Sequence, residues 1–195
     1  MNKEIINITG LQVRADDGNS RMITGRAIVF NSDSQNMGFI ERIMPEAITR
    51  DVIAQSDIFA LFNHNQDAVL ARSNHGEGTL ALDVDSEGVT FMFDAPNTSL
   101  GNDVIELVKR GDLNGCSFAF TIPNEEGSEK WYRDADNVLR RDINKIDRLY
   151  DISIVTTPAY PSTSVAARNK LDEIEALNTK LDGQINEIKQ LVDNE

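Results

Sequence analysis

The residues that build metal and redox centres are nearly missing from this chain: its 195 positions hold one cysteine and two histidines. Cys116 alone cannot close an internal disulfide, and His64 and His75 form no HExxH, CxxC or EF-hand pattern, so no metal and no cofactor is expected. Gly76-Glu77-Gly78 precedes a strand-like segment and not a helix, which removes the context of a phosphate-binding loop. Basic residues are scarce too, 19 against 32 acids, for a net charge of −13. Such a field repels phosphate backbones and anionic headgroups, so neither nucleic acid nor a membrane is an expected partner. No apolar run approaches the roughly 18–20 residues that span a bilayer. The opening MNKEIINITGLQVRADDG lacks the apolar core and small-residue cleavage site of a secretory signal, which points to the cytoplasm.

What is present is an ordinary globular balance, 40% hydrophobic and 26% charged, over a length that suits one domain with an appendage. Strands are expected at 24–30 and 38–43, a helix at 45–55 opened by Pro45, and a strand at Ile58–Phe62 that stops at the polar cluster Asn63-His64-Asn65. Leu80, Leu82 and Val84, then Val89, Phe91 and Phe93, alternate around Asp85-Ser86-Glu87-Gly88 as a β-hairpin. A helix over 99–110 carries Leu100, Val104, Leu107 and Val108 on one stripe, with Ser99 as N-cap and Gly111 as C-cap. In 115–122, Cys116, Phe118, Phe120 and Ile122 make a packed face and leave Ser117 on an open one. After a charged hairpin region, 124–148, the strand LYDISIVT puts Asp151 and Ser153 on a face with Leu149 and Val155. About seven strands and two helices without βαβ rhythm predict a β-rich α+β fold, drawn as a small antiparallel β-barrel with peripheral helices.

Composition changes at Arg168. Residues 169–195 lack proline and aromatics and space Leu171, Ile174, Leu181, Ile185, Ile188 and Val192 by helical intervals, which predicts a C-terminal amphipathic helix for docking or oligomerisation. The expected division is therefore a domain at 1–168 and a helical tail at 169–195.

With metal and nucleotide chemistry set aside, nucleophilic catalysis is left, which needs a hydroxyl or thiol, an imidazole and a group to orient that imidazole. His64, at a strand's end in a polar turn, is the better base; His75 sits beside a glycine in a loop, where a solvated histidine is ordinary. Ser117 is either a nucleophile or a small residue required for close strand packing, and Cys116 beside it reads as a buried small hydrophobe. Asp151 on a packed face needs a partner, because an unpaired buried charge costs several kcal/mol. Arg148 or Arg141 would serve.

FIERIMPEAI, LFNHN followed by VLAR, RGDLNGCSFAF, and LYDISIVTTPAYPSTSVAAR occur here in one order. In that order and approximate spacing the chain, over about residues 22–168, resembles the tailed-phage prohead proteases, the HK97-type capsid maturation serine proteases. The resemblance implies a fold like that of the herpesvirus assembly proteases, with His64 as general base and Ser117 as nucleophile. Asp151 stands where the family usually has glutamate, and VLAR replaces the commoner VLGR; the shorter acid puts its reach to His64 in question. No histidine follows Ser117, so an acid or a bare dyad must complete the site. The implied substrates and partners are the scaffolding protein or the scaffold-like region of the major capsid protein, cut inside the procapsid in the host cytoplasm, and finally the enzyme itself. Cleavage-site preference, the oxyanion donors and any homo-oligomer stay open. Two rival readings are a non-catalytic assembly factor that binds scaffold and a β-domain that binds another soluble protein through its acidic surface.

Overall fold

A computed structural model describes residues 4–8, 13–15 and 21–156, all within the first of the chain's two units, residues 1–160. In chain order the elements are β1 (Glu4–Ile8), β2 (Val13–Ala15), β3 (Met22–Val29), β4 (Ile40–Ile43), α1 (Arg50–Gln55), β5 (Asp57–Phe62), β6 (Asn65–Asn74) and β7 (Glu77–Gly78). They continue as β8 (Leu80–Val84), β9 (Gly88–Asp94), α2 (Ser99–Arg110), β10 (Gly115–Thr121), β11 (Glu129–Arg133), β12 (Leu139–Ile143) and β13 (Arg148–Val155). The β-rich α+β class agrees with the sequence reading. The predicted tail helix and the whole TPAYPST segment, 157–163, lie outside the described residues.

The barrel is a correction. The strands form three sheets, β1-β10-β13-β5-β6-β7, β11-β12-β4 and β2-β3-β9-β8, and among the described residues none closes on itself. β7 is only two residues long and ends at Gly78, whose φ of +137° and close approach to the Arg72 carbonyl leave no room for a side chain. Two of the sheets are also mixed: β5 runs parallel to β13, and β4 parallel to β12.

The helix expected from Pro45 starts later, at Arg50. The backbone of 44–49 is already committed: Ala47 N–H bonds the Met44 carbonyl at 2.9 Å, the Ala47 carbonyl accepts from Ile146 N–H at 2.6 Å, and Thr49 is the N-cap. α2 keeps its predicted span, but Thr98 and not Ser99 caps it, accepting from Gly101 N–H at 3.1 Å. Gly111 takes the left-handed C-cap with φ of 79°.

One contiguous core joins the largest sheet, through Ile58, Phe118 and Ile152, to Ile23 and Phe91 of the four-stranded sheet and to Val104 and Val108 of α2. Burying such side chains is worth about 1.5–3 kcal/mol each. In the three-stranded sheet Arg141, 4% exposed, bonds Glu41 at 2.7 Å and Glu129 at 2.7 Å. That ion cluster ties β12 to both of its neighbours.

Candidate active site

Three strands of the largest sheet carry the polar residues that matter. Ser117 of β10 pairs across to Ser153 of β13, and Ser153 pairs to Leu61 of β5. One step along, Ala119, Asp151 and Phe59 make the neighbouring rung on the same face. Side chains on adjacent rungs of one face lie within reach of each other. Ile58, Ala60, Phe118, Ile152 and Ile154, which alternate with these residues, point into the core. The alternation thus sorts the polar groups onto one side.

Leu149 does not share that side, which corrects the packed face proposed for Asp151. A β-bulge sets Ala119 opposite Asp151 but Phe120 opposite Leu149, so Leu149 joins the core and Tyr150 is the extra residue. Ser117, expected on an open face, has no exposed surface. Its strand is central, with β1 and β13 on either side, and the turn after β5 lies over its hydroxyl.

That turn explains how His64 arrives. Phe62 pairs with Asn65, which leaves Asn63 and His64 as a two-residue loop with φ of 52° and 56°, both positive as in a type I′ hairpin turn. Asparagine suits this conformation; histidine there costs about 1 kcal/mol or more. Three bonds to the end of β13 hold the turn: Asn63 N–H to the Ile154 carbonyl at 3.0 Å, His64 N–H to Ser153 Oγ at 3.2 Å, and Thr156 N–H to Asn63 Oδ1 at 3.1 Å.

Over the sheet face His64 Nε2 lies 2.6 Å from Ser117 Oγ, and Nδ1 lies 2.6 Å from Asp151 Oδ1. An ionised Asp151 only accepts hydrogen bonds, so Nδ1 carries the hydrogen and the Nε2 lone pair faces the serine hydroxyl. The shorter acid therefore reaches the imidazole. Asp151 and Ser117 are 2% and 0% exposed, while the His64 side chain keeps 17%. A nearly water-free setting of this kind strengthens each electrostatic contact. Chemically, the row can pass the serine proton to the imidazole and stabilise the resulting cation.

Ser153 is a member that sequence reasoning did not assign. Its hydroxyl donates to Asp151 Oδ1 at 2.9 Å and accepts the His64 backbone N–H, so it fixes both the acid and the turn. The signal was available in its spacing: two residues after Asp151 on a strand means the same face. The arginines weighed as partners for Asp151 lie elsewhere. Arg141 serves Glu41 and Glu129, and Arg148 forms no ion pair among the described residues. His75 occupies a separate turn, between β6 and β7.

Cys116 points the other way, into the core, and burial pushes its thiol up to about 12. A thiol that stays protonated is a poor nucleophile. Among the described residues no three His, Cys, Asp or Glu side chains cluster as metal ligands would, and no helix is long and apolar enough to cross a membrane.

A histidine, a serine and an acid in one relay invite comparison with known families. The sequence model of the caudovirus prohead serine proteases matches residues 9–177. The chain belongs to that family. Membership places the chain among the bacteriophage serine proteases of capsid maturation, a family that acts within the procapsid in the host cell. Neither a curated protein nor a solved structure gives a significant match. The matched segment spans every strand that contributes to the relay and carries its three residues together with Ser153.

Proposed function

We propose that the chain is an active serine endopeptidase in which Ser117 is the nucleophile, His64 the general base and Asp151 the orienting acid. The observation that carries this reading is the continuous relay of two 2.6 Å contacts from Asp151 through His64 to Ser117. Ser117 Oγ attacks the peptide carbonyl carbon while its proton passes to His64 Nε2. The tetrahedral adduct then expels the amine, which takes that proton from the imidazolium as the C–N bond breaks. Water, deprotonated by the same nitrogen, next cleaves the acyl ester and returns the hydroxyl. Asp151 stays ionised throughout and stabilises the imidazolium.

The substrates are the scaffolding protein or the scaffold-like region of the major capsid protein, and the protease itself, with the 169–195 tail as the element that docks on scaffold. One observation favours a second reading, a non-catalytic assembly factor: Ser117 is fully buried, and a peptide reaches it only after the face above it opens. Production together with the capsid protein separates the two. The peptidase yields truncated capsid protein and truncated enzyme, both abolished by Ser117→Ala. Identical band patterns with and without the substitution would establish the assembly factor.

A further inference from the structure

Beyond Asp151, on the same sheet face, lies a cleft of about 520 Å³ to which no role has been given. Phe59 and Leu61 of β5 and Tyr150 of β13 form its apolar lining. Tyr150 is the bulge residue of β13, and the extra residue at a bulge is a recognised way to re-aim a side chain beside an active site.

The charges around this cleft are unevenly placed. Asp57 is engaged through both carboxylate oxygens by Arg72, at 2.7 and 2.6 Å, and Asp151 is engaged by His64 and Ser153. Arg148, exposed at the Asp57 end of β13, makes no hydrogen bond or ion pair among the described residues. At the Arg148 end of the cleft the uncompensated charge is therefore positive, in a molecule whose total is −13, while the ionised Asp151, held by a neutral imidazole and a hydroxyl, keeps its negative charge at the Ser117 end. The surplus of surface acids acts weakly here, because exposed charges are screened beyond about 8–10 Å. A contact with Arg148 is not.

We propose that this cleft is a substrate subsite that accepts an acidic side chain, glutamate better than aspartate, close to the scissile bond. The two methylenes of glutamate cover Phe59 and Tyr150 while its carboxylate meets the planar guanidinium of Arg148. The assignment rests on the peptidase reading, since it takes Ser117 as the point of cleavage. Arg148 is five residues along β13 from Ser153, the strand partner of Ser117. At about 3.3 Å per residue that is about 16 Å, so an extended peptide places the acid within about five residues of its cleaved bond.

The test digests a synthetic peptide mixture of diverse sequence with the full-length chain and reads the new termini by mass spectrometry. Arg148→Gln, Arg148→Glu and a Ser117→Ala blank run in parallel, with circular dichroism as the check on folding. Wild type should enrich acids at one position within five residues of the cut by about tenfold or more. Arg148→Gln should lose the enrichment, and Arg148→Glu should replace it with Lys and Arg. Cleavage without an acid preference, or with one that survives Arg148→Gln, overturns the subsite and leaves the peptidase standing. Cleavage no greater than the Ser117→Ala blank overturns the peptidase reading, and the subsite with it.

Discussion

A residue proposed as general base must be fixed in direction yet free to exchange its proton, and the neighbours of His64 provide for both. The positive φ of a two-residue turn sets its backbone, and Asp151 selects its tautomer by accepting from Nδ1. Asp151→Asn is expected to fold and to lower kcat by on the order of 10⁴, because an amide no longer enforces that tautomer; steady-state kinetics on the purified variant checks it. Ser153 is a positioning residue. Ser153→Ala should lower kcat by about tenfold, the worth of one hydrogen bond to a charged group, with KM unchanged. Rates normalised to titrated active sites separate this from partial unfolding, and Ser153→Thr, which keeps the hydroxyl, should recover most of the loss. Of this site, the position of His64 at a strand's end was legible because strand ends are local, while the roles expected of His64, Ser117 and Asp151 came with the family resemblance. Ser153 was less legible, since a serine two residues from an acid gains meaning only when a turn 89 residues earlier lies above it.

At the scale of elements, the hairpin of β8 and β9 was readable from strict alternation around a turn, and its packing on β3 was not. Gly88 shows why: with φ of +150° it lies against the Ile28 carbonyl, a long-range contact that leaves no space for a side chain. The same contact region holds Arg26, which pairs with Asp85 at 2.6 Å and Glu87 at 3.0 Å. The Arg26 hydrogen bond, helped by the Glu87 backbone N–H, brings the Asp85 carboxyl down to about 2 from 3.8. A depressed acid stabilises the fold above its unfolded value and loses that contribution as pH falls through its folded one. Asp85→Asn should therefore be less stable than wild type in urea at pH 7, with the difference vanishing between about pH 4 and pH 2. Equal midpoints at pH 7 would remove the pair from the stability account. The late start of α1 has a similar cause: tertiary bonds from Ile146 claimed the first turn that Pro45 and Glu46 would otherwise begin.

For the whole molecule, the class followed from the mixture of strands and helices, but closure did not. Whether a sheet closes depends on register between strands far apart in sequence, which periodicity within each strand does not carry. β5 and β13 illustrate this: they lie parallel and adjacent although about 90 residues separate them, and only that pairing lets the turn after β5 reach Ser117 and Asp151. The arrangement thus brings an imidazole, a carboxylate and a hydroxyl from three distant segments onto one face. The most direct measurement of whether they act together is the intact mass of the full chain after treatment with a fluorophosphonate. One adduct is predicted, mapped to the peptide that holds Ser117, absent from Ser117→Ala and formed at least about 10³-fold more slowly in His64→Ala. An unmodified wild-type chain, or labelling of Ser117 that is indifferent to His64, would contradict the account.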